Sequence, residues 1–261
     1  MLPVSPETLC PASPRQLTGT EARYTVNSHC LVTATVYHFL LSLLVFLALA
    51  AEADPRQQFT AESPAWLSAV GKLTVPGQRF EQGERLHYRE DCTATLIGAQ
   101  TILTAWHCLE YYRDVSRDIV FKLPHAAGGE SRHARRLADG GGMRSDWAVL
   151  HLDRPISDIT PVPVRMEFMA IVDTPVSIAG YSRDDGLGAG GSILTWQAGC
   201  AITDNEGYRV ATNCLAYKGA SGGPALFEGA IVGVISAGDG QGQTYYAPSS
   251  SFRSAVRLYR Q

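Results

Sequence analysis

Metal-ligand spacing is absent from this sequence: its six cysteines form no C-x-x-C pair and no H-E-x-x-H occurs, so no resident metal is expected. Charge is scarce as well. Only 18% of the 261 residues are Asp, Glu, Lys or Arg and the formal balance is −3, which gives no electrostatic reason to expect a polyanion, so nucleic acid is not an expected partner. No self-similarity recurs at periods of about 20 to 50 residues, which argues against solenoids and propellers. What the chain does have is glycine (25), proline (14) and 45% hydrophobic residues. That combination favours many short strands joined by turns around a substantial core, an all-β domain.

Residues 31–51 contain no Asp, Glu, Lys or Arg, and the dense part, 39–51, has the length of a signal-peptide h-region. Two A-x-A sites follow, Ala48-Leu49-Ala50 and Ala51-Glu52-Ala53. Residues 1–53 are therefore expected to be a leader whose cleavage leaves a secreted or periplasmic, extracytoplasmic product; if it is retained, 31–51 is long enough to anchor the chain in a membrane. Residues 54–64 read as a linker or mature N-terminal tail, with order beginning near Trp66, and 65–261 as one domain, expected to be a monomer. Cys10 and Cys30 lie in the leader. The four beyond it, Cys92, Cys108, Cys200 and Cys214, are an even set in an exported domain, which points to disulfides with three connectivities open.

Strand-like runs cover 68–75, 93–97, 101–105, 146–152, 176–181 and 230–238. Between them, GQRFEQGE (77–84) reads as a loop, and 130–145, with Arg132, Arg135, Arg136 and Gly140-Gly141-Gly142, as a solvated loop. Gly186, Gly188 and Gly191 satisfy a G-x-G-x-x-G spacing, but no helical pattern follows to meet a phosphate, so no dinucleotide cofactor is expected.

Three residues carry chemistry when taken together. A serine hydroxyl attacks a carbonyl only when a base takes its proton and a third group orients the base. His107 ends the 93–105 hairpin in T-A-W-H-C, Asp146 opens D-W-A-V-L, and Ser221 stands in G-A-S-G-G-P. In this order the motifs resemble the T-A-A-H-C, D-I-A-L-L and G-D-S-G-G-P motifs of chymotrypsin- or trypsin-like serine peptidases, and most resemble the bacterial secreted, glutamyl endopeptidase-like branch. Similarity runs from about Trp66 to Arg260. The resemblance implies two packed six-stranded antiparallel β-barrels with a short C-terminal helix. It implies that His107 is general base then acid, that Asp146 holds the imidazole tautomer, that Ser221 is the nucleophile, and that the Gly219 and Ser221 N–H groups form the oxyanion hole. It also selects Cys92–Cys108 and Cys200–Cys214 as the disulfides, and Leu215, Ile235, Ser236, Ala237 and Gly238 as substrate-pocket residues.

Two departures from the family pattern go together. Digestive members pair an Ile-Val-Gly-Gly-like N-terminal ammonium with the aspartate before the nucleophile; here that position is Ala220, and no I-V-G-G follows the leader. Losing both partners avoids leaving either charge buried alone, so other contacts are expected to set the oxyanion loop. Leu215 removes the usual support for a basic P1 residue and Ile235 that for an acidic one, leaving an apolar or small P1 side chain. The implied activity is a serine endopeptidase acting on protein or peptide substrates through an acyl-enzyme. The alternative is a catalytically silent homologue used as a protein-binding module.

Overall fold

The computed structural model describes residues 53–112 and 118–260. The leader through residue 52, including the apolar 31–51 run, Cys10 and Cys30, lies outside the described residues, as do 113–117 and Gln261. Among the described residues no helix is long and apolar enough to cross a membrane.

The chain from Asp54 onward begins with a two-residue strand, β1 (Gln57–Gln58). It then builds a first barrel from β2 (Val70–Glu81), β3 (Glu84–Gly98), β4 (Thr101–Thr104), β5 (Ile119–Lys122), β6 (Ser131–Asp139) and β7 (Ala148–Leu152). The order β2-β3-β4-β7-β6-β5 closes on itself, every neighbour pair antiparallel. A second antiparallel barrel follows from β8 (Pro175–Gly180), β9 (Thr195–Asn205), β10 (Val210–Thr212), β11 (Pro224–Phe227), β12 (Ala230–Gly238) and β13 (Thr244–Pro248). Pairing of β8 with both β9 and β11 closes it, and β1 adds to β9. Closure removes the exposed edges that six-stranded sheets would otherwise present. A short helix, α1 (Arg253–Tyr259), returns to the first barrel, where Phe252 and Val256 join its core and the Tyr259 carbonyl accepts from Thr101 Oγ1 at 2.9 Å.

Alternation explains the strands that the sequence made legible. In β2, Leu73 and Val75 face a core that also holds Leu96, Leu103, Phe121 and Val149, while Lys72 and Thr74 face outward. Two stretches differ from the sequence reading. GQRFEQGE is no loop: pairing continues out to Glu81↔Glu84, because Gln82 (φ 51°) and Gly83 (φ 86°) form a two-residue turn whose positive φ values match strand twist. Likewise 131–139 is strand β6, which completes the barrel between β5 and β7 although only Ala134 in it is buried.

Residues 54–59 are also held firmly, ahead of Trp66. Gln57 and Gln58 pair with Trp196 and Thr195, the Phe59 N–H donates to the Leu194 carbonyl at 2.9 Å, and Arg56 is only 5% exposed.

Candidate active site

His107 opens a single 3-10 turn (His107–Leu109) just beyond β4. Because β4 and β7 run antiparallel in the register Thr104↔Ala148, extending that register two residues brings 106 opposite Asp146, the residue just before the strand. Asp146 is 1% exposed and meets three donors: the His107 backbone N–H at 2.9 Å, His107 Nδ1 at 2.8 Å and the hydroxyl of Ser236. A buried carboxylate needs such donors to stay charged. The backbone and ring bonds together fix both the position and the rotation of the imidazole.

Ser221 arrives from the second barrel, in the turn that enters β11. Its carbonyl accepts the Thr93 N–H at 2.8 Å, and the Thr93 hydroxyl donates to the Gly219 carbonyl at 2.8 Å while accepting from the Tyr181 N–H at 2.9 Å. Thr93 is fully buried and follows Cys92, which a disulfide joins to Cys108, the neighbour of His107. One strand of the first barrel thus carries the contacts to both histidine and serine segments. The Ser221 hydroxyl makes no hydrogen bond to the His107 ring among the described residues. Ser221 is half-buried, and the His107 side chain is 24% exposed.

Backbone conformation at Gly219 and Gly222 leaves no choice of residue. Gly219 has φ +98°, and a Cβ there would lie 2.4 Å from the Tyr181 carbonyl oxygen; Gly222 has φ +84°, with a Cβ 2.1 Å from both Thr104 Oγ1 and the Thr93 carbonyl oxygen. Glycine alone accepts such angles without cost and such proximity at all. The turn is otherwise closed by Ala220 N–H to Tyr217 O (3.1 Å), Gly223 N–H to Ala220 O (2.9 Å) and Gly222 N–H to Ile235 O (2.8 Å). Among the described residues, the Gly219 and Ser221 N–H groups donate to no protein acceptor.

The other residues selected from the family resemblance have varied surroundings. Ser236 sits at the register shift between Ile235 and Ala237 in β12, and its hydroxyl serves Asp146. Ile235 is 1% exposed in the core of the second barrel, with Ala216, Ala220 and Tyr246. Leu215 is half-buried and its N–H donates to Gln197 Oε1 at 2.8 Å, while Ala237 and Gly238 are exposed. Gly238 nevertheless lies close to the chain at Ala216: a Cβ on it would be 2.4 Å from the Ala216 carbonyl oxygen, which also accepts the Gly240 N–H at 3.2 Å. The second disulfide, Cys200–Cys214, ties β9 to the segment leading into Leu215.

A ring nitrogen of His107 and the sulfurs of Cys92 and Cys108 lie within 4.8 Å of one another, but sulfurs joined in a disulfide are not thiolates and offer no metal site. Thr93 carried no signal of its own in the sequence, where it looks like any β-prone threonine, and Ser236 was expected as a pocket residue rather than as a donor to Asp146.

A sequence model described as Trypsin matches residues 70–256. Among solved structures, a Glu endopeptidase in complex with MPD is similar with a TM-score of 0.60 at 20% identity, over 80% of this chain and 98% of that one. The protease Anisep from Arthrobacter nicotinovorans gives 0.57 at 18% identity, over 78% and 99%. The scabies mite inactivated protease paralogue S-D1 gives 0.60 at 14% identity, over 78% and 95%. At these identities the structures speak for the fold alone. The match of the family model over most of the chain goes further: with its two closed six-stranded barrels, this chain belongs to the trypsin family of chymotrypsin-like serine peptidases.

Proposed function

We propose that the protein is an extracytoplasmic serine endopeptidase in which His107, Asp146 and Ser221 form the catalytic triad. The observation that carries this reading is the three-donor environment of buried Asp146, with His107 Nδ1 at 2.8 Å. A carboxylate accepting from Nδ1–H fixes the neutral tautomer whose Nε2 is free to accept a proton. When a peptide binds, Nε2 takes the Ser221 hydroxyl proton as Oγ attacks the scissile carbonyl carbon. The imidazolium formed is stabilised by Asp146, and the tetrahedral oxyanion is met by the Gly219 and Ser221 N–H groups, free of protein acceptors. Nε2–H then protonates the leaving amine, the C–N bond breaks, and an acyl-enzyme remains; water activated by the same base releases it.

The approach of Gly238 to the Ala216 carbonyl leaves little room between the two pocket walls, which supports a small P1 side chain, alanine or glycine. Two disulfides in the domain fit an oxidising compartment and hence export.

A fluorophosphonate label on the mature protein tests the reading. It is expected to react at Ser221, and to be lost in Ser221→Ala and strongly slowed in His107→Ala. Labelling that survives Ser221→Ala would refute the assignment. No labelling of wild type, with retained binding to a protein ligand, would establish the silent binding module instead. A peptide library varied at P1 then checks the preference for Ala and Gly.

A further inference from the structure

Arg56 is a buried cation that the chemistry above does not use. Its side chain is 2% exposed. Nε and Nη2 bond to the Asp54 carboxylate (3.0 and 2.6 Å), Nη1 bonds to Asp184 Oδ1 at 2.7 Å, and the guanidinium carbon lies 4.6 Å from the centroid of the Tyr217 ring. Burying an arginine is costly unless its charge is paired and its donors are bonded, and this one has two carboxylates and an aromatic face. Burial alone would lower its pKa, but the bonds to Asp54 and Asp184 outweigh burial and hold it above its ordinary value.

Two of the three partners of Arg56, Tyr217 and Asp184, belong to the segments that shape the oxyanion loop. Tyr217 is two residues before Gly219, and its carbonyl accepts the Ala220 N–H. Asp184 follows a stretch that runs beneath 217–219: Tyr181 O faces Gly219, Ser182 Oγ accepts from the Tyr217 N–H at 3.4 Å, and the Arg183 N–H donates to Lys218 O at 2.7 Å. Asp184 also shapes its own turn by accepting the Gly188 N–H at 3.1 Å. Arg56, Gly180, Ser182, Leu215, Ala216 and Ala220 line one small crevice under that loop. Pairing of β1 with β9 delivers the arginine there.

Resting on the serine-peptidase reading above, we propose that Arg56 is a positioning residue: its guanidinium grips Asp184 and Tyr217 from below and so holds the Gly219 and Ser221 N–H groups in convergent orientation. The cation comes from a side chain, so no newly cut N-terminus is required. Its counter-charges sit on Asp54 and Asp184, which is why a neutral Ala220 is tolerated beside it.

The test compares wild type, Arg56→Ala, Arg56→Lys and the double variant Arg56→Ala/Asp184→Ala, all expressed as the full chain. Loss of a single oxyanion donor costs about 10² to 10³ in turnover, so a loosened loop should lower kcat in Arg56→Ala by about tenfold or more while KM changes by less than about threefold. Millimolar guanidinium ion should restore part of kcat in Arg56→Ala and none in the double variant, which lacks the Asp184 carboxylate. Arg56→Lys should retain an intermediate kcat, having a charge but no fork. Hydrogen exchange should quicken in peptides covering 215–223 and stay unchanged in 131–139, strand β6 of the first barrel. The proposal is overturned if Arg56→Ala keeps wild-type kcat, if guanidinium restores nothing, or if protection falls equally in both regions, the sign of global destabilisation. Should wild type itself fail to label or turn over, the peptidase reading falls, and the exchange comparison still decides whether Arg56 orders 215–223.

Discussion

Gly222→Ala probes the seam on which the proposed site depends. Two costs follow from the coordinates. A left-handed φ of +84° costs an alanine about 1 kcal/mol, and the added Cβ would lie 2.1 Å from Thr104 Oγ1 and the Thr93 carbonyl, where 3.4 Å is ordinary contact. Since Thr93 is fully buried backbone in β3, the Ser221 turn must retreat instead, at an overpacking cost of about 1–3 kcal/mol. The total is about 2–4 kcal/mol, which for a domain of this size lowers Tm by about 4–16 °C. The same retreat moves Ser221 away from His107 by more than an ångström, enough to cost about 10² in kcat. Gly229→Ala is the control, with φ +75° and nothing within 4 Å of the added Cβ: about 1 kcal/mol is lost and turnover is unchanged. Thermal unfolding and peptide hydrolysis on both variants decide the matter. Equal Tm losses with full turnover in both would refute the claim that Gly222 fixes the approach of the two barrels.

Ser236→Ala removes one of three donors from buried Asp146, a charge-assisted bond of about 1.5–3 kcal/mol; kcat/KM should fall about tenfold or more, with Ser236→Thr recovering part of it, and an unchanged value would show the bond to be incidental. Hydrogen bonds to Arg56 hold Asp54 and Asp184 below the usual aspartate range. Carboxylates depressed in the folded state stabilise it above the ordinary aspartate value, and that contribution disappears as pH falls through the depressed value. Asp184→Asn should therefore melt below wild type at neutral pH, with the gap narrowing below about pH 4; a gap constant with pH would contradict the ion pair. Replacing both Cys200 and Cys214 by Ala opens a loop of sequence separation 14 and should cost about 3 kcal/mol, measured by urea unfolding.

The stretches that misled the sequence reading share a physical reason. Strands such as 148–152 and 230–238 bury apolar side chains, so composition alone marks them. Strand β6 earns its place through backbone pairing on both sides, which no side-chain pattern reports, and its arginines stay outside. The arm at 77–88 depends on a turn in which Gln82 rather than asparagine or aspartate takes positive φ, a weak signal beside the polar residues around it. The candidate residues His107, Asp146 and Ser221 stand out because each sits in a short run with its own character, whereas Thr93 and Arg56 make contacts with residues far away in sequence.

Ala220 joins these two levels. Taken alone, an alanine in G-A-S-G-G-P requires only that no unpaired charge be buried there, and says nothing of what supports the loop instead. The fold supplies the physical content: Ala220 is 2% exposed, its Cα would lie 2.6 Å from a Cβ on Gly180, and Arg56 lines the same crevice with its charge already neutralised by Asp54 and Asp184. A carboxylate introduced at 220 would compete with Asp184 for one guanidinium in a space packed against Gly180. The neutral residue before Ser221 and the buried arginine just ahead of β1 are therefore two parts of one electrostatic arrangement: an acid at 220 would be a third carboxylate on one guanidinium, and loss of Arg56 would leave Asp54 and Asp184 without their cation.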